Sequence, residues 1–172
     1  KNTKNLKSVE CGEYALTRLK LVSGIIDFSQ INTVIDLCAA NGRIEEFLPS
    51  TIKYIPVDYI KYSDATRVCN LNAYEFPDIQ SKAEETCILL VAAIGYIHDW
   101  KWLIKRISEQ CNTFVCVHND FARINREYRR TSYNGNVVVF NHQIIMEAQK
   151  YGFKLVDAFD YRLRTVVMKF ER

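Results

Sequence analysis

Residues 153–170, FKLVDAFDYRLRTVVMKF, contain two runs of strand-forming residues, at 153–159 and 163–170. Only residues 160–162 separate the two runs, and three residues are too few for the crossover that joins parallel strands. The pattern therefore predicts an antiparallel hairpin near the end of the chain.

Upstream of this hairpin, short apolar runs recur at intervals long enough to hold crossover helices. The runs cover residues 33–37, 54–57, 67–71, 86–94 and 113–117. Because they are apolar on both faces, they are typical of parallel strands that helices cover on both sides. We expect an α/β protein with a Rossmann-like, seven-stranded, mostly parallel sheet, a C-terminal antiparallel strand and helices on both faces.

Three further stretches space their apolar residues as amphipathic helices do. They cover residues 10–27, 99–110 and 143–151. Gly152 directly follows the last of them and is predicted to end that helix. We expect a single domain over residues 1–172, with an N-terminal helical cap over 1–30 and a core over 31–172.

The composition is that of an ordinary globular protein. The 172 residues are 48% hydrophobic and 25% charged, which favours a folded core over long disorder. The longest apolar run, at 87–96, is too short to cross a bilayer, and the first five residues are polar, unlike a signal peptide. We therefore expect a cytoplasmic protein without membrane insertion.

The six cysteines do not form any C-x-x-C pair, and four of them lie inside apolar runs. This distribution favours core thiols in a reducing compartment over a disulfide framework or a zinc site. We predict no metal site.

The first predicted strand runs into DLCAANG, residues 36–42, and a helix is expected to begin near Ile44. Small residues let a backbone turn sharply and approach a ligand beyond the carboxyl ends of parallel strands. Only Gly42 remains of a three-glycine pattern, so the loop alone is a weak signal. Asp58 lies 22 residues after Asp36, the spacing of an acidic residue that holds ribose hydroxyls. A polar strand cap is the alternative for Asp58.

Four stretches together resemble the motifs of class I S-adenosylmethionine-dependent methyltransferases. They are DLCAANG at 36–42, VDY at 57–59, CNLN at 69–72 with FP at 76–77, and LVAAIGYIHD at 90–99. The terminal hairpin also resembles this family and is not expected in nicotinamide-binding Rossmann domains. The resemblance extends from residue 10 to the end and implies S-adenosyl-L-methionine as the cofactor.

The resemblance also implies roles for residues at the ends of the first four strands. Asp36 and the loop backbone would face the methionine moiety, Asp58 would bind the ribose, and Asn70 with the Leu71 amide would hold the adenine. The implied cofactor contacts are Asp36, Cys38, Ala39, Ala40, Gly42, Asp58, Tyr59, Asn70, Leu71 and Ala93.

Departures from the family pattern leave catalysis open. Cys38 and Ala40 replace two glycines, Asn70 stands where Asp is usual, and Gly95 stands where Glu is frequent. The Asn carbonyl can still accept from an adenine amino group, without the strength of a charged acceptor. A non-catalytic binding module within a larger assembly is therefore the alternative to an enzyme.

Histidines after the fourth and fifth strands are the candidate general bases. The sulfonium already activates the methyl group, so the protein must align the acceptor and remove the proton of a hydroxyl. His118 is the first choice and His98 the second, with a structural role as the alternative for each. A metal corner at residues 118–120 is also conceivable, but the end of the fourth strand lacks an acidic ligand.

The segment at 121–135 holds four arginines and one glutamate, a local charge of +3. Clustered guanidinium groups favour phosphate or carboxylate, and tyrosines can stack on rings. We predict a small, anionic acceptor, such as a phosphorylated or nucleotide-linked sugar or metabolite. The predicted substrate contacts are Tyr96, Asn119, Arg123, Arg126, Arg130 and Tyr133. A solvated basic helix face is the alternative.

Two other activities are disfavoured. The stretch at 36–40 also resembles RNA methyltransferases, but residues 92–95 lack the Pro and Cys of the cytosine-methylating branch, and a net charge of +3 is low for a nucleic-acid partner. The hairpin and the poor glycine pattern argue against a nicotinamide dehydrogenase. The sequence predicts a methyltransferase acting on oxygen or nitrogen of a small molecule, without a nucleic-acid partner, and leaves the oligomeric state open.

Overall fold

A computed structural model of the chain describes residues 13–119, 138–161 and 165–172. Seven strands in these ranges form one mixed sheet, and helices cover both of its faces. No helix in the described ranges is both long and apolar enough to cross a membrane.

The order of the strands across the sheet is β3-β2-β1-β4-β5-β7-β6. The strands are β1 Thr33–Leu37, β2 Lys53–Asp58, β3 Arg67–Val68, β4 Thr86–Val91, β5 Thr113–Asn119, β6 Lys154–Tyr161 and β7 Thr165–Glu171. Strands β1 to β5 pair in parallel, whereas β7 runs antiparallel to both β5 and β6. The mostly parallel sheet and its C-terminal antiparallel strand are confirmed.

Three α-helices lie in the described ranges: α1 Glu13–Gly24, α2 Trp100–Ser108 and α3 Asn141–Lys150. Helix α1 packs on one face of the sheet, and α2 and α3 pack on the other. Gly152 follows α3 with φ 85° and donates its N–H to the Gln149 carbonyl at 3.1 Å. Glycine reaches this left-handed conformation without strain, so the predicted helix end is confirmed.

The two faces of the sheet carry separate hydrophobic clusters. Helix α1 buries Leu19 and Val22 against Val34 and Val115. On the opposite face Phe114 lies among α2 and α3. Because the central strands are covered on both sides, their carboxyl ends form one rigid edge on which a site can be built.

The crossovers between β1 and β4 differ from the expectation. The helix predicted to begin near Ile44 is a 3₁₀ turn, Arg43–Phe47, and further 3₁₀ turns at Leu71–Ala73 and Ala83–Glu85 follow β3. Pro49 comes two residues after the first turn, and the residue before a proline is driven out of the helical region. The chain therefore enters β2 after a single short turn.

Candidate functional site

The loop that follows β1, residues 38–42, turns back towards β2. Ala39 donates its N–H to the Val57 carbonyl at 3.0 Å, and Gly42 donates to the Ala39 carbonyl at 2.9 Å. Three of its residues have positive φ: Cys38 at 62°, Ala40 at 49° and Gly42 at 69°. These left-handed positions favour glycine, so the loop keeps a glycine-type backbone with a glycine at only one of the three.

Asp58, at the end of β2, joins this loop through its carboxylate. The Ala40 N–H donates to Asp58 Oδ2 at 3.0 Å, and the Ile60 N–H donates to Oδ1 at 3.2 Å. The side chain is only 5% exposed. A carboxylate oxygen has two acceptor sites, so these bonds leave capacity for further hydroxyl donors.

The loop and Asp58 share the wall of one cavity of about 600 Å³. Its lining residues are Cys38, Ala40, Val57, Asp58, Tyr59, Tyr62, Cys69, Asn70, Leu71, Asn72, Tyr96 and Ile97. Six of the predicted cofactor residues and the predicted substrate residue Tyr96 are among them. The other four, Ala39, Gly42, Asp36 and Ala93, do not line it.

Sequence reasoning did not single out Val57, Tyr62, Cys69, Asn72 or Ile97 as contacts. Most lie within one residue of a predicted contact and follow the ends of the same strands. A count of the positions beyond each strand end would have found them, except Tyr62, which lies four residues past Asp58.

Asp36 belongs to β1, does not line the cavity and is 4% exposed. The Tyr54 hydroxyl donates to Asp36 Oδ2 at 2.9 Å. Burial, with a smaller contribution from the nearby Asp58 charge, raises the pKa of Asp36 to about 7, although the Tyr54 hydrogen bond opposes that rise. Asp36 is thus a buried carboxyl group whose pKa lies near neutral pH.

The loops after β3 and β4 are tied together by Asn72. Its Nδ2 donates to the Tyr96 carbonyl at 3.0 Å, and its Oδ1 accepts the His98 N–H at 2.8 Å. Asn70 is held within its own turn, because its Oδ1 accepts the Asn72 N–H at 3.1 Å. These bonds set one wall of the cavity.

Ala92 and Ala93 form the turn at the end of β4. Ala92 has φ 57° and donates its N–H to the Val117 carbonyl at 2.8 Å, which ties the turn to β5. Ala93 is buried in the hydrophobic cluster on the side of the sheet that α2 and α3 cover, and it does not line the cavity.

The two predicted bases occupy different environments. His118 is 2% exposed, and its Nε2 lies 2.8 Å from the Val139 carbonyl, a contact that ties β5 to the chain entering α3. A carbonyl only accepts, so Nε2 carries a proton in this contact. His98 is exposed in the loop after β4, one residue beyond Ile97.

Two thiols line the cavity as neutral groups. Burial is the main cause that raises the pKa of Cys38 to about 12 and that of Cys69 to about 11. Within the described ranges the free cysteines are Cys38, Cys69, Cys87, Cys111 and Cys116. Those ranges contain no cluster of three or more His, Cys, Asp or Glu side chains able to hold a metal.

Much of the predicted acceptor site falls outside the described residues. Arg123, Arg126, Arg130 and Tyr133 lie there, and Asn119 is described only as the last residue of β5. The described part of the acceptor side is Tyr96, which is 55% exposed at the cavity.

No protein-family model matches the sequence, and no curated protein matches it. Solved structures do match. One is the 1,6-didemethyltoxoflavin-N1-methyltransferase of Burkholderia thailandensis, with 1,6-didemethyltoxoflavin and S-adenosylhomocysteine bound; it is 14% identical, with a TM-score of 0.63, over 90% of this chain and 77% of that chain.

An O-methyltransferase family protein of the same organism is 12% identical over 92% of this chain, with a TM-score of 0.68. The present chain spans 57% of that protein's length. A Listeria monocytogenes protein that is assigned to the S-adenosylmethionine-dependent methyltransferases is 13% identical over 91% of this chain and 99% of that one, with a TM-score of 0.64. The chain has the fold of class I S-adenosylmethionine-dependent methyltransferases. The resemblance of the motifs at 36–42 and 57–59 is thus matched by a likeness of the whole fold.

Proposed function

We propose that the chain is an S-adenosylmethionine-dependent methyltransferase that acts on oxygen or nitrogen of a small molecule. The observation that carries this proposal is the shared cavity of loop 38–42 and Asp58, at the carboxyl edge of a methyltransferase-type sheet. Its volume of about 600 Å³ lies within the usual range for small-molecule sites.

Different residues of the cavity would bind different parts of the cofactor. Asp58 would accept the ribose hydroxyls, because its carboxylate is already oriented by two backbone amides. Asn70 and Leu71, which line the cavity after β3, would hold the adenine, and Tyr59 is an exposed residue of the cavity wall. The bound cofactor supplies an activated methyl group on its sulfonium.

The protein's remaining task is to orient the acceptor and, for a hydroxyl, to remove its proton. His118 and His98 are the residues proposed for the proton. His118 has an imidazole fixed by the Val139 carbonyl, and His98 directly follows Ile97, which lines the cavity. Tyr96, exposed at the cavity, contacts the acceptor.

The anionic nature of the acceptor is proposed from the arginines alone. Arg123, Arg126 and Arg130 follow β5 in the chain, and guanidinium groups bind phosphate or carboxylate through paired hydrogen bonds. A phosphorylated or nucleotide-linked sugar or metabolite fits this chemistry.

Isothermal titration calorimetry with S-adenosylmethionine and S-adenosylhomocysteine tests the cofactor site. We expect both to bind the wild-type chain, and Asp58→Ala to abolish binding of both. Asp157→Ala is the matched control, because Asp157 is exposed on β6 and its loss should change neither affinity. Failure of both ligands to bind at millimolar concentration would reject the proposed function.

Product mass spectrometry with a panel of phosphorylated sugars and metabolites tests the reaction. We expect His118→Ala to retain cofactor binding and lose turnover, and His98→Ala is measured beside it. Cofactor binding without methylation of any acceptor in the panel would favour a non-catalytic binding module instead.

A further inference from the structure

Asn70 lines the cavity, and the orientation of its side-chain amide decides what it offers to a ligand. Its Oδ1 accepts the Asn72 N–H at 3.1 Å. Because a backbone N–H only donates, this contact assigns the two branches of the amide: Oδ1 faces Asn72, and Nδ2 is the other branch. Nδ2 has no hydrogen-bond partner among the residues that the structure describes, so this donor is available to a ligand.

The turn that holds Asn70 is closed by several hydrogen bonds, which keep the amide in this orientation. The Asn70 N–H donates to Glu75 Oε2 at 2.7 Å, and the Asn70 carbonyl accepts the N–H groups of Ala73 at 2.9 Å and of Glu75 at 3.3 Å. Asn72 in turn bonds the loop after β4 through its own side chain. Reversal of the Asn70 amide would place Nδ2 against the Asn72 N–H, and two donors do not pair.

An asparagine in this turn differs chemically from an aspartate. One oxygen of an aspartate would accept the Asn72 N–H, and its other oxygen would be a charged acceptor for the ligand. At Asn70 that second branch is Nδ2, a donor. The amino group at carbon 6 of adenine also donates, so it cannot pair with Nδ2.

We propose that Asn70 makes the base site indifferent to the amino group at carbon 6, so that the chain binds purine nucleoside ligands with and without this group. The inference rests on the proposed function and adds the base selectivity of its cofactor site. Leu71 and Ile97 are apolar residues of the same cavity. Their contact with a purine ring does not depend on a hydrogen bond to its amino group.

Isothermal titration calorimetry with two ligands tests this selectivity: S-adenosylhomocysteine, and its analogue with hydrogen in place of the 6-amino group. For the wild-type chain we expect dissociation constants that differ by less than about threefold, because no hydrogen bond to the amino group is lost. Asn70→Asp supplies a charged acceptor. In this variant we expect S-adenosylhomocysteine to bind about tenfold more tightly than the analogue, as for one hydrogen bond to a charged group.

Asn112→Asp is the matched control, because it introduces the same charge at an asparagine that does not line the cavity. Its Oδ1 also accepts one hydrogen bond, from Arg172 Nε at 3.1 Å. We expect the ratio of the two affinities to stay as in the wild-type chain. Asn70→Ala is the second variant, used if Asn70→Asp does not fold; it removes the amide and should also leave that ratio unchanged.

A wild-type chain that prefers S-adenosylhomocysteine by more than about threefold would show that the site recognises the amino group. An unchanged ratio in Asn70→Asp, or a changed one in Asn70→Ala, would show that Asn70 does not set the base selectivity in this way. Each of these results overturns the inference while the proposed function stands. If the wild-type chain binds neither ligand, the proposed function fails, and this inference fails with it.

Discussion

At the residue scale, the loop 38–42 has non-glycine residues at two positions where the backbone conformation favours glycine. Cys38 and Ala40 have φ values of 62° and 49°. An L-residue in this region costs about 1–2 kcal/mol of backbone strain, and part of that is offset because glycine loses more entropy on folding. The sequence shows the missing glycines, but the strain depends on φ, which only the folded backbone reveals.

Replacing Ala40 with glycine should relieve this strain. We expect Ala40→Gly to raise the free energy of unfolding by up to about 1 kcal/mol in urea denaturation. Ala83→Gly is the control, since Ala83 lies in a 3₁₀ turn without positive φ and should lose stability. Equal losses in both variants would contradict the strain argument.

The buried carboxyl of Asp36 predicts a dependence of stability on pH. Its folded pKa of about 7 lies above its usual 3.8, so folding takes up a proton between these values and stability falls as pH rises through that window. Above the folded pKa the penalty is constant, on the order of a few kcal/mol. The side chain is almost fully buried, so solvent screening reduces this penalty little.

Asp36→Asn removes the titrating group and should remove that penalty. We expect the variant to gain stability over the wild-type chain as pH is raised from about 5 to 8, measured by thermal melting at each pH. Stability curves that run parallel over this range would contradict the argument.

At the element scale, the site depends on contacts between the loops that follow different strands. Asn72 bonds the loop after β4 at two backbone positions, Tyr96 and His98. The sequence places Asn72 in a motif, but it cannot show which loop its amide meets, because that contact joins residues 24 and 26 positions apart.

Loss of the Asn72 side chain should loosen the cavity wall. We expect Asn72→Ala to lower the free energy of unfolding by about 1–2 kcal/mol and to weaken S-adenosylhomocysteine binding several-fold. Asn112→Ala is the control: it also loses a side-chain hydrogen bond, to Arg172, but lies away from the cavity, so it should leave affinity unchanged. Unchanged affinity in Asn72→Ala would contradict the role of the bridge.

Some helices and strands could be predicted from the sequence, and others could not. Helix α2 and the hairpin of β6 and β7 follow from local periodicity and from the short link between the last two runs. The prediction of a helix after β1 was wrong. Pro49 follows closely, so the chain forms only a 3₁₀ turn there. Strand β3 is shorter than its apolar run, since it pairs with only the last two residues of β2.

At the scale of the whole molecule, β5 and β7 are joined by an aromatic cluster. Phe114 stacks on Phe170 at 4.4 Å between ring centroids and meets Phe153 edge-on at 4.8 Å. All three are fully buried and link β5 and β7 to the entrance of β6. The reversed strand is thus fastened to the parallel part of the sheet.

Truncation of Phe114 should destabilise the entire domain. We expect Phe114→Ala to lower the free energy of unfolding by about 3–5 kcal/mol, seen as a lower urea midpoint by circular dichroism. Val156→Ala, at an exposed position on β6, should change it by less than about 0.5 kcal/mol. Comparable losses in the two variants would contradict the assignment of this cluster to the core.

The global fold was predictable because a strand pattern with a reversed hairpin admits few topologies. The convergence of residues 36–42 and 58 was predictable too, since parallel strands end at one edge. The burial of Asp36 was not predictable, because it depends on the contact with Tyr54 from the neighbouring strand.

The structure of the chain crystallised with S-adenosylhomocysteine is the most direct test of the central claim. We expect the adenosine in the cavity beside loop 38–42, with the ribose hydroxyls donating to the Asp58 carboxylate. A ligand bound away from Asp58, or a cavity that stays without ligand at saturating concentration, would contradict it.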